Sequence, residues 1–385
     1  MEAGKKKWKV IILLTTVILI VISVIVVFVL WSMRKEVPTS LSSYPVITPL
    51  PASPSPIPSP SVEPTKVPPK GMARSTLTGK WIPKKIAKKR PYAVMIDNIE
   101  YAAMNQRGTY GADVLYEALA EGGITRMMAV YQDPSKLEKI GPVRSARHYY
   151  ASFSSEWNAF FCHFGHTPYA LNKIAQLNIN NISGLAGSGS IAYARDSSYR
   201  EPHNVFANGK DMIKAAKALK YPLNQNDNKT ATHFYFYEED TDIKGITPRK
   251  TKKATNLTIP FSAYSTTQLK YNKKKKVYEK FEYGTKHSDH ANNKQLAFKN
   301  VLIQLVLERD IDRNGYQTMK IHKKRGDGYY ITNGKMISIE WSKGELDRRM
   351  CYNYDKSNKT VRINPGKTYI AVYPVSQKEL LKFNR

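Results

Sequence analysis

Cysteine is almost absent from this chain: its 385 residues hold 2, Cys162 and Cys351. That is too few for a disulfide framework and excludes the small cross-linked scaffolds. Cys162 stands in an apolar strand pattern, where a cysteine reads as a small buried hydrophobe. Acidic residues are scarce too, with 31 Asp and Glu against 60 Lys and Arg and a net charge of +29. Catalytic signatures are missing. There is no H-E-x-x-H, no G-x-S-x-G and no convincing S-x-x-K, and Gly187-Ser188-Gly189-Ser190 lacks the lysine of a phosphate loop. No reaction is named by these residues, and no cofactor or metal is predicted.

A long apolar run occurs once, from Val10 to Trp31, with no charge inside it. It is long enough to cross a hydrocarbon core of roughly 30 Å. Lys5, Lys6, Lys7 and Lys9 precede it and only Arg34 and Lys35 follow closely, so the positive-inside bias puts residues 1–9 in the cytoplasm. A cleavable signal would be shorter and end in small residues, whereas this run ends Val29-Leu30-Trp31-Ser32-Met33. No cysteine stands near it for lipid attachment. The reading is therefore a single-pass anchor in the cell membrane, with everything after it extracytoplasmic.

Half of the 22 prolines fall between Val37 and Lys70, among Ser, Thr and Val. Such a stretch cannot build a core and reads as a solvated stalk within a linker over 32–80. The basic excess lies in the first 89 residues and in 221–385, while 90–220 is nearly neutral. Outside a membrane this field excludes nucleic acid as the natural partner. Anionic wall polymers and lipid head groups suit it better.

Residues 81–225 alternate strand and helix patterns. Tyr92–Ile96, Thr125–Gln132 and Asn158–Phe164 read as strands, and Ala112–Glu121, Arg144–Trp157, Pro168–Leu177 and Lys210–Leu219 as helices. This predicts an α/β domain on a largely parallel sheet. Residues 226–385 carry short strand patterns separated by Asn-Gly, Asp-Gly and Pro-Gly turns, so a β-rich second domain is expected. Lys273-Lys274-Lys275-Lys276 reads as a hairpin turn, and Gly284–His290 as a loop, or as part of a metal site or an acid–base pair.

The segment Gly141-Pro142-Val143-Arg144-Ser145-Ala146-Arg147 follows a strand. Read as a helix start with proline in the first turn, it offers free backbone N–H groups and two guanidinium forks to a phosphate or carboxylate. In an open α/β sheet ligands collect beyond the strand ends. Asp97 and Asn98 end the first strand, Arg126 begins the second, and Arg144, Ser145 and Arg147 follow it. His163 ends the third. Glu117 and Glu121, four apart, share a face of the expected helix. A polar loop supplies Arg195, Asp196, Arg200, His203 and Asn204. All of these are candidate ligand-binding residues, and Asp97 and Asp196 are candidate bases. The competing reading is a structural arginine–carboxylate network.

Together these motifs resemble a known family. PYAVMIDN (91–98), ADVLYEALAEGGITR (112–126), GPVRSAR (141–147) and ARDSSYREPHNVF (194–206) occur in the order seen in the YerB-like bacterial extracytoplasmic lipoproteins. NVLIQ (300–304), GDGYYITNGKMISIEW (326–341) and PGKTYIAV (365–372) resemble that family's C-terminal domain. The resemblance covers about residues 90–375 and implies a two-domain architecture of unknown function outside a membrane. Two features depart from it: an apolar anchor replaces the lipidated cysteine, and Gly165-His166-Thr167 replaces a Gly-Gly-Ser-like turn, which favours His163 over His166. A fainter likeness joins Thr125–Arg147 to the LytR-CpsA-Psr phosphotransferases, although Pro142-Val143-Arg144-Ser145 lacks their Pro-Arg-Asp run. The expectation is a membrane-anchored protein binding an anionic or amphoteric envelope ligand. The alternatives are an enzyme acting on a wall precursor and a scaffold for other envelope proteins.

Overall fold

The computed structural model describes residues 68–225, 233–344, 350–355 and 359–384. The expected anchor at 10–31 and residues 37–67 of the proline stretch lie outside the described residues. Among the described residues no helix is long and apolar enough to cross a membrane.

The first long strand, β1 (Tyr92–Asp97), is buried along its whole length. It pairs antiparallel with β3 (Thr125–Tyr131), which pairs antiparallel with β2 (Val114–Leu119). On its other side β1 runs parallel to β4 (Phe160–His163), and β4 parallel to β5 (Asn181–Ser183). The sheet here is mixed rather than largely parallel.

The second half of the chain opens with an antiparallel meander of β6 (Asn256–Pro260), β7 (Thr266–Asn272) and β8 (Val277–Glu282) in a separate sheet. The four lysines 273–276 turn the β7–β8 hairpin, as expected. Strands β9 (Asn300–Asp310), β10 (Lys324–Thr332), β11 (Lys335–Lys343) and β12 (Thr368–Pro374) instead join the sheet of β1. Nine of its 12 strands run in the order β11-β10-β9-β12-β2-β3-β1-β4-β5, with β12 parallel to both β9 and β2. One sheet thus runs through both halves of the sequence.

Helices are few. Of those lying against this sheet, α1 (His148–Glu156) is buried from Tyr149 to Glu156. The Tyr149 hydroxyl donates to the Leu119 carbonyl at 2.6 Å, and that of Tyr150 donates to the Arg126 carbonyl. The helix thereby clamps the facing ends of β2 and β3. Helix α2 (Pro168–Gln176) starts as expected, with Thr167 Oγ1 accepting from the Ala170 amide and proline in the first turn. Asn208 caps α3 (Gly209–Ala218) in the same way.

Two helix expectations fail as well. Ala112–Glu121 is not a helix: Val114–Leu119 is a central strand, buried on both faces, and so lacks the alternation that marks a half-exposed strand. Gly141–Ala146 does not open a helix either. It runs extended, and its amides are consumed by pairing: Val143 N–H to Val205 O at 2.7 Å, Arg144 N–H to Met95 O at 3.2 Å and Ala146 N–H to Gly165 O at 2.9 Å. The helix begins only at His148.

Candidate functional site

Pairing of β1 with β3 sets Asp97 opposite Arg126. Asp97 is 1% exposed and Arg126 4% exposed, so two opposite charges meet near the end of the sheet with little water around them. The extended segment crossing that end adds Arg144, whose Nε lies 3.1 Å from Asp97 Oδ2. The far polar loop adds His203, whose Nδ1 lies 2.6 Å from the same oxygen. Burial alone raises a carboxyl pKa, but His203, Arg144 and Arg126 outweigh it and hold Asp97 below the usual carboxylate range.

Arg147, at the N-cap position of α1, forms a bidentate pair with Glu121 at 2.6 and 2.5 Å. Its Nη1 donates to the Ser145 and Ala146 carbonyls. Arg126 also donates to the Ser145 carbonyl, at 3.1 Å, while its buried Nε has no hydrogen-bond partner among the described residues. Burial, followed by the charge of Arg147, brings the Arg126 guanidinium down to about 10. Three guanidinium groups share two carboxylates here, Asp97 and Glu121, which leaves positive charge in excess.

The turn at Gly165 (φ +86°) fits against this segment because it has no side chain. A Cβ there would meet Ser145 Oγ at 2.5 Å. The rim is aromatic and basic. Tyr101 lies edge-on to His203 at 5.9 Å, and the Arg200 guanidinium sits 5.1 Å from the centre of the Tyr101 ring.

The chain matches the family described as "Protein of unknown function (DUF3048) N-terminal domain" over residues 77–222, and the corresponding C-terminal domain over 257–370. It is 29% identical over 304 residues to "Putative lipoprotein YerB" of Bacillus subtilis (strain 168), covering 78% of this chain and 86% of that protein. The crystal structure of Bacillus subtilis YerB superposes with a TM-score of 0.69 at 26% identity, over 81% of this chain and all of that one. The chain belongs to the YerB-like family. The family description assigns no function.

In this family member the expected residues divide into four groups. Asp97, Glu121, Arg126, Arg144, Ser145, Arg147 and His203 come together, with Arg200 at the rim. Asn98 and Glu117 turn away into a second, wholly buried network. His163 is held by the Gly165 carbonyl and Asn181 Oδ1, each at 2.6 Å, and burial lowers its pKa to about 4. As a neutral ring it has one N–H to donate between these two oxygens, and it keeps the turn in place. Arg195 and Asp196 line a separate cleft of about 510 Å³. There Arg195 donates to Asn204 Oδ1 at 2.7 Å, and Lys139 and Ser198 hold Asp196 low, which makes it a poor base.

Sequence reading missed the centre of the buried network. Lys280 of β8 is fully buried between Glu282 and Glu117, with Glu117 Oε2 at 3.2 Å. Thr267 and Tyr369 donate to Glu117 Oε2 at 3.0 and 2.8 Å, and Thr125 to Oε1 at 2.9 Å. Asn98 Nδ2 reaches both carboxylates at 3.2 Å. His287 lies 3.3 Å from Glu282 and 2.8 Å from Gln106 Oε1. A signal was present, because Tyr278, Lys280 and Glu282 share one face of an alternating strand. Among the described residues no three His, Cys, Asp or Glu side chains are placed to hold a metal ion.

Proposed function

We propose that this protein binds an anionic or amphoteric ligand of the cell envelope at the Asp97–Arg126–Arg144–Arg147 cluster, outside a membrane to which residues 10–31 anchor it. The observation that carries the reading is the charge imbalance: three convergent guanidinium groups, one with a buried unpartnered Nε, against two carboxylates. A ligand carboxylate or phosphate supplies the missing negative charge. Asp97 and Glu121 accept hydrogen bonds from ligand amines or hydroxyls, which makes the preferred ligand amphoteric. The lipoprotein name of the Bacillus relative and the apolar run Val10–Trp31 both support the location. The stalk then spaces the folded part from the lipid.

The test is calorimetric titration of the full chain in detergent with a soluble peptidoglycan fragment bearing free carboxylates. Arg144→Ala is expected to weaken binding roughly tenfold or more, the scale of one charge-assisted hydrogen bond. Equal affinity in wild type and variant overturns the site.

One contact favours a second reading, an enzyme acting on a lipid-linked or wall precursor. Asp97 orients His203 through Nδ1, and Nε2 of that ring makes no hydrogen bond among the described residues. This is the arrangement of a carboxylate-oriented general base. The base is then His203, since Asp97 is held ionised by its neighbours, and the arginines stabilise developing phosphate charge. Turnover of a lipid-linked pyrophosphate that is lost in His203→Gln supports this reading, and no turnover removes it.

A further inference from the structure

A cleft of about 600 Å³ lies between the turn carrying Tyr110, the β7–β8 hairpin and the turn that leads into β12. Six lysines line it: Lys80, Lys275, Lys276, Lys294, Lys299 and Lys367, and no arginine does. Only Asp240 and Glu279 oppose them. Asp240 takes Lys299 at 2.5 Å and Lys276 at 3.2 Å, and Glu279 takes Lys275 at 2.9 Å. Lys80, Lys294 and Lys367 have no carboxylate within ion-pair distance among the described residues. Two of these rest on the Tyr110 ring, Lys367 at 4.4 Å and Lys294 at 5.3 Å from its centre.

The cluster is built into the fold. Lys299 is 8% exposed and stands at the foot of β9, and its ammonium also donates to Asn333 Oδ1 at 2.6 Å. Gly366 (φ +153°) permits the close approach of the neighbouring turn, because a Cβ there would lie 2.4 Å from Lys299 Cβ. Burial lowers the pKa of both Lys299 and Lys367, and the charge of Lys80 adds to both shifts. Lys80 therefore acts on the same space as Lys299 and Lys367.

We propose that this cleft binds a linear phosphodiester chain, at a site sharing no residue with the arginine cluster. Lysine ammonium groups are compact point charges that hold phosphate oxygens without the fixed bidentate geometry through which arginine grips carboxylate or phosphate. An excess of cations spread along a concavity suits several spaced anions better than one. The lysines line a concavity, which fits a single chain lying in the cleft better than the flat surface of an anionic bilayer.

The experiment uses the full chain in detergent with a fluorescently labelled synthetic glycerol–phosphodiester oligomer, read by anisotropy. Lys80 and Lys294 are exposed and unpaired, so Lys80→Gln/Lys294→Gln is expected to fold normally, with an unchanged melting temperature. It should bind roughly tenfold or more weakly than wild type, and wild-type affinity should fall steeply between low and physiological salt. Arg144→Ala should bind this oligomer like wild type, which keeps the result separate from the arginine site. Undiminished binding by the double lysine variant, or none by wild type, overturns the proposal. Equal affinity for a poly-glutamate of matched charge removes the phosphodiester assignment, and binding only to phosphatidylglycerol vesicles replaces the chain with a membrane surface.

Discussion

Asp97 and Asn98 are adjacent in the chain yet serve two different charge networks. Asp97 faces Arg144 and His203 in the half-open cluster, whereas Asn98 bridges Glu117 and Glu282 in the interior. Gln106 ties the two, donating to the Asp97 carbonyl at 2.8 Å and to Asn98 Oδ1 at 3.2 Å while its own oxygen meets His287. The site therefore rests on a buried polar foundation, and several predictions test that dependence.

Lys280→Met should be among the most destabilising substitutions. It leaves Glu117 and Glu282 buried without their cation, a loss of about 3–5 kcal/mol for a broken buried ion pair. Adding Glu282→Gln should recover part of that loss by removing one uncompensated charge. Urea denaturation of the three proteins measures both effects.

Glu117 gives a pH signature. Burial first, then the charge of Glu282, raises its pKa from 4.5 to about 7. Between those values the folded state keeps a proton that the unfolded chain releases, so its contribution to stability falls as pH rises and is level above about 7. Glu117→Gln lacks the titration. The difference in urea midpoint between wild type and this variant should change between pH 4.5 and 7, by an amount equivalent to roughly 1–3 kcal/mol.

Arg144 and Arg147 should separate binding from stability. Arg147 is nearly buried and its removal strands Glu121, so Arg147→Ala should cost about 2 kcal/mol in thermal or chemical unfolding. Arg144 is more exposed, and Arg144→Ala should lower stability by less than half that amount while weakening the ligand. Paired melting and titration data on both variants check the ordering.

Gly165→Ala should cost about 1–3 kcal/mol, from a left-handed backbone and a forced contact with Ser145. The larger effect should fall on binding, because the Ser145 carbonyl positions both Arg126 and Arg147. Ligand titration under conditions where the variant remains folded tests this.

Much of the strand pattern was legible because alternation survives wherever one face of a sheet is wet. The β7–β8 hairpin and its lysine turn follow directly from that rule, as α2 follows from Thr167-Pro168. Val114–Leu119 was misread because burial on both faces removes the alternation, leaving apolar residues whose spacing also fits a helix. Gly141–Ala146 was misread because local preference favoured a helix start, while pairing with Met95, Gly165 and Val205 decided the matter. The arginines and Asp97 could be picked out by their places after strand ends. Which face each used could not: Glu117 was assigned to a helix surface and lies at the centre of the molecule. Contact between His203 and Asp97 spans 106 residues and has no local signature.

The place of β12 shapes how this chain is made. Thr368–Pro374 fills the gap between β2 and β9, pairing with both. During synthesis β2 must wait with one row of amides and carbonyls open until Thr368–Val372 emerges, some 250 positions later. Completion of the sheet thus waits on residues 368–374. A protein cut short before Thr368 loses more than its C-terminal end, because it keeps an unsealed edge at the heart of the N-terminal half.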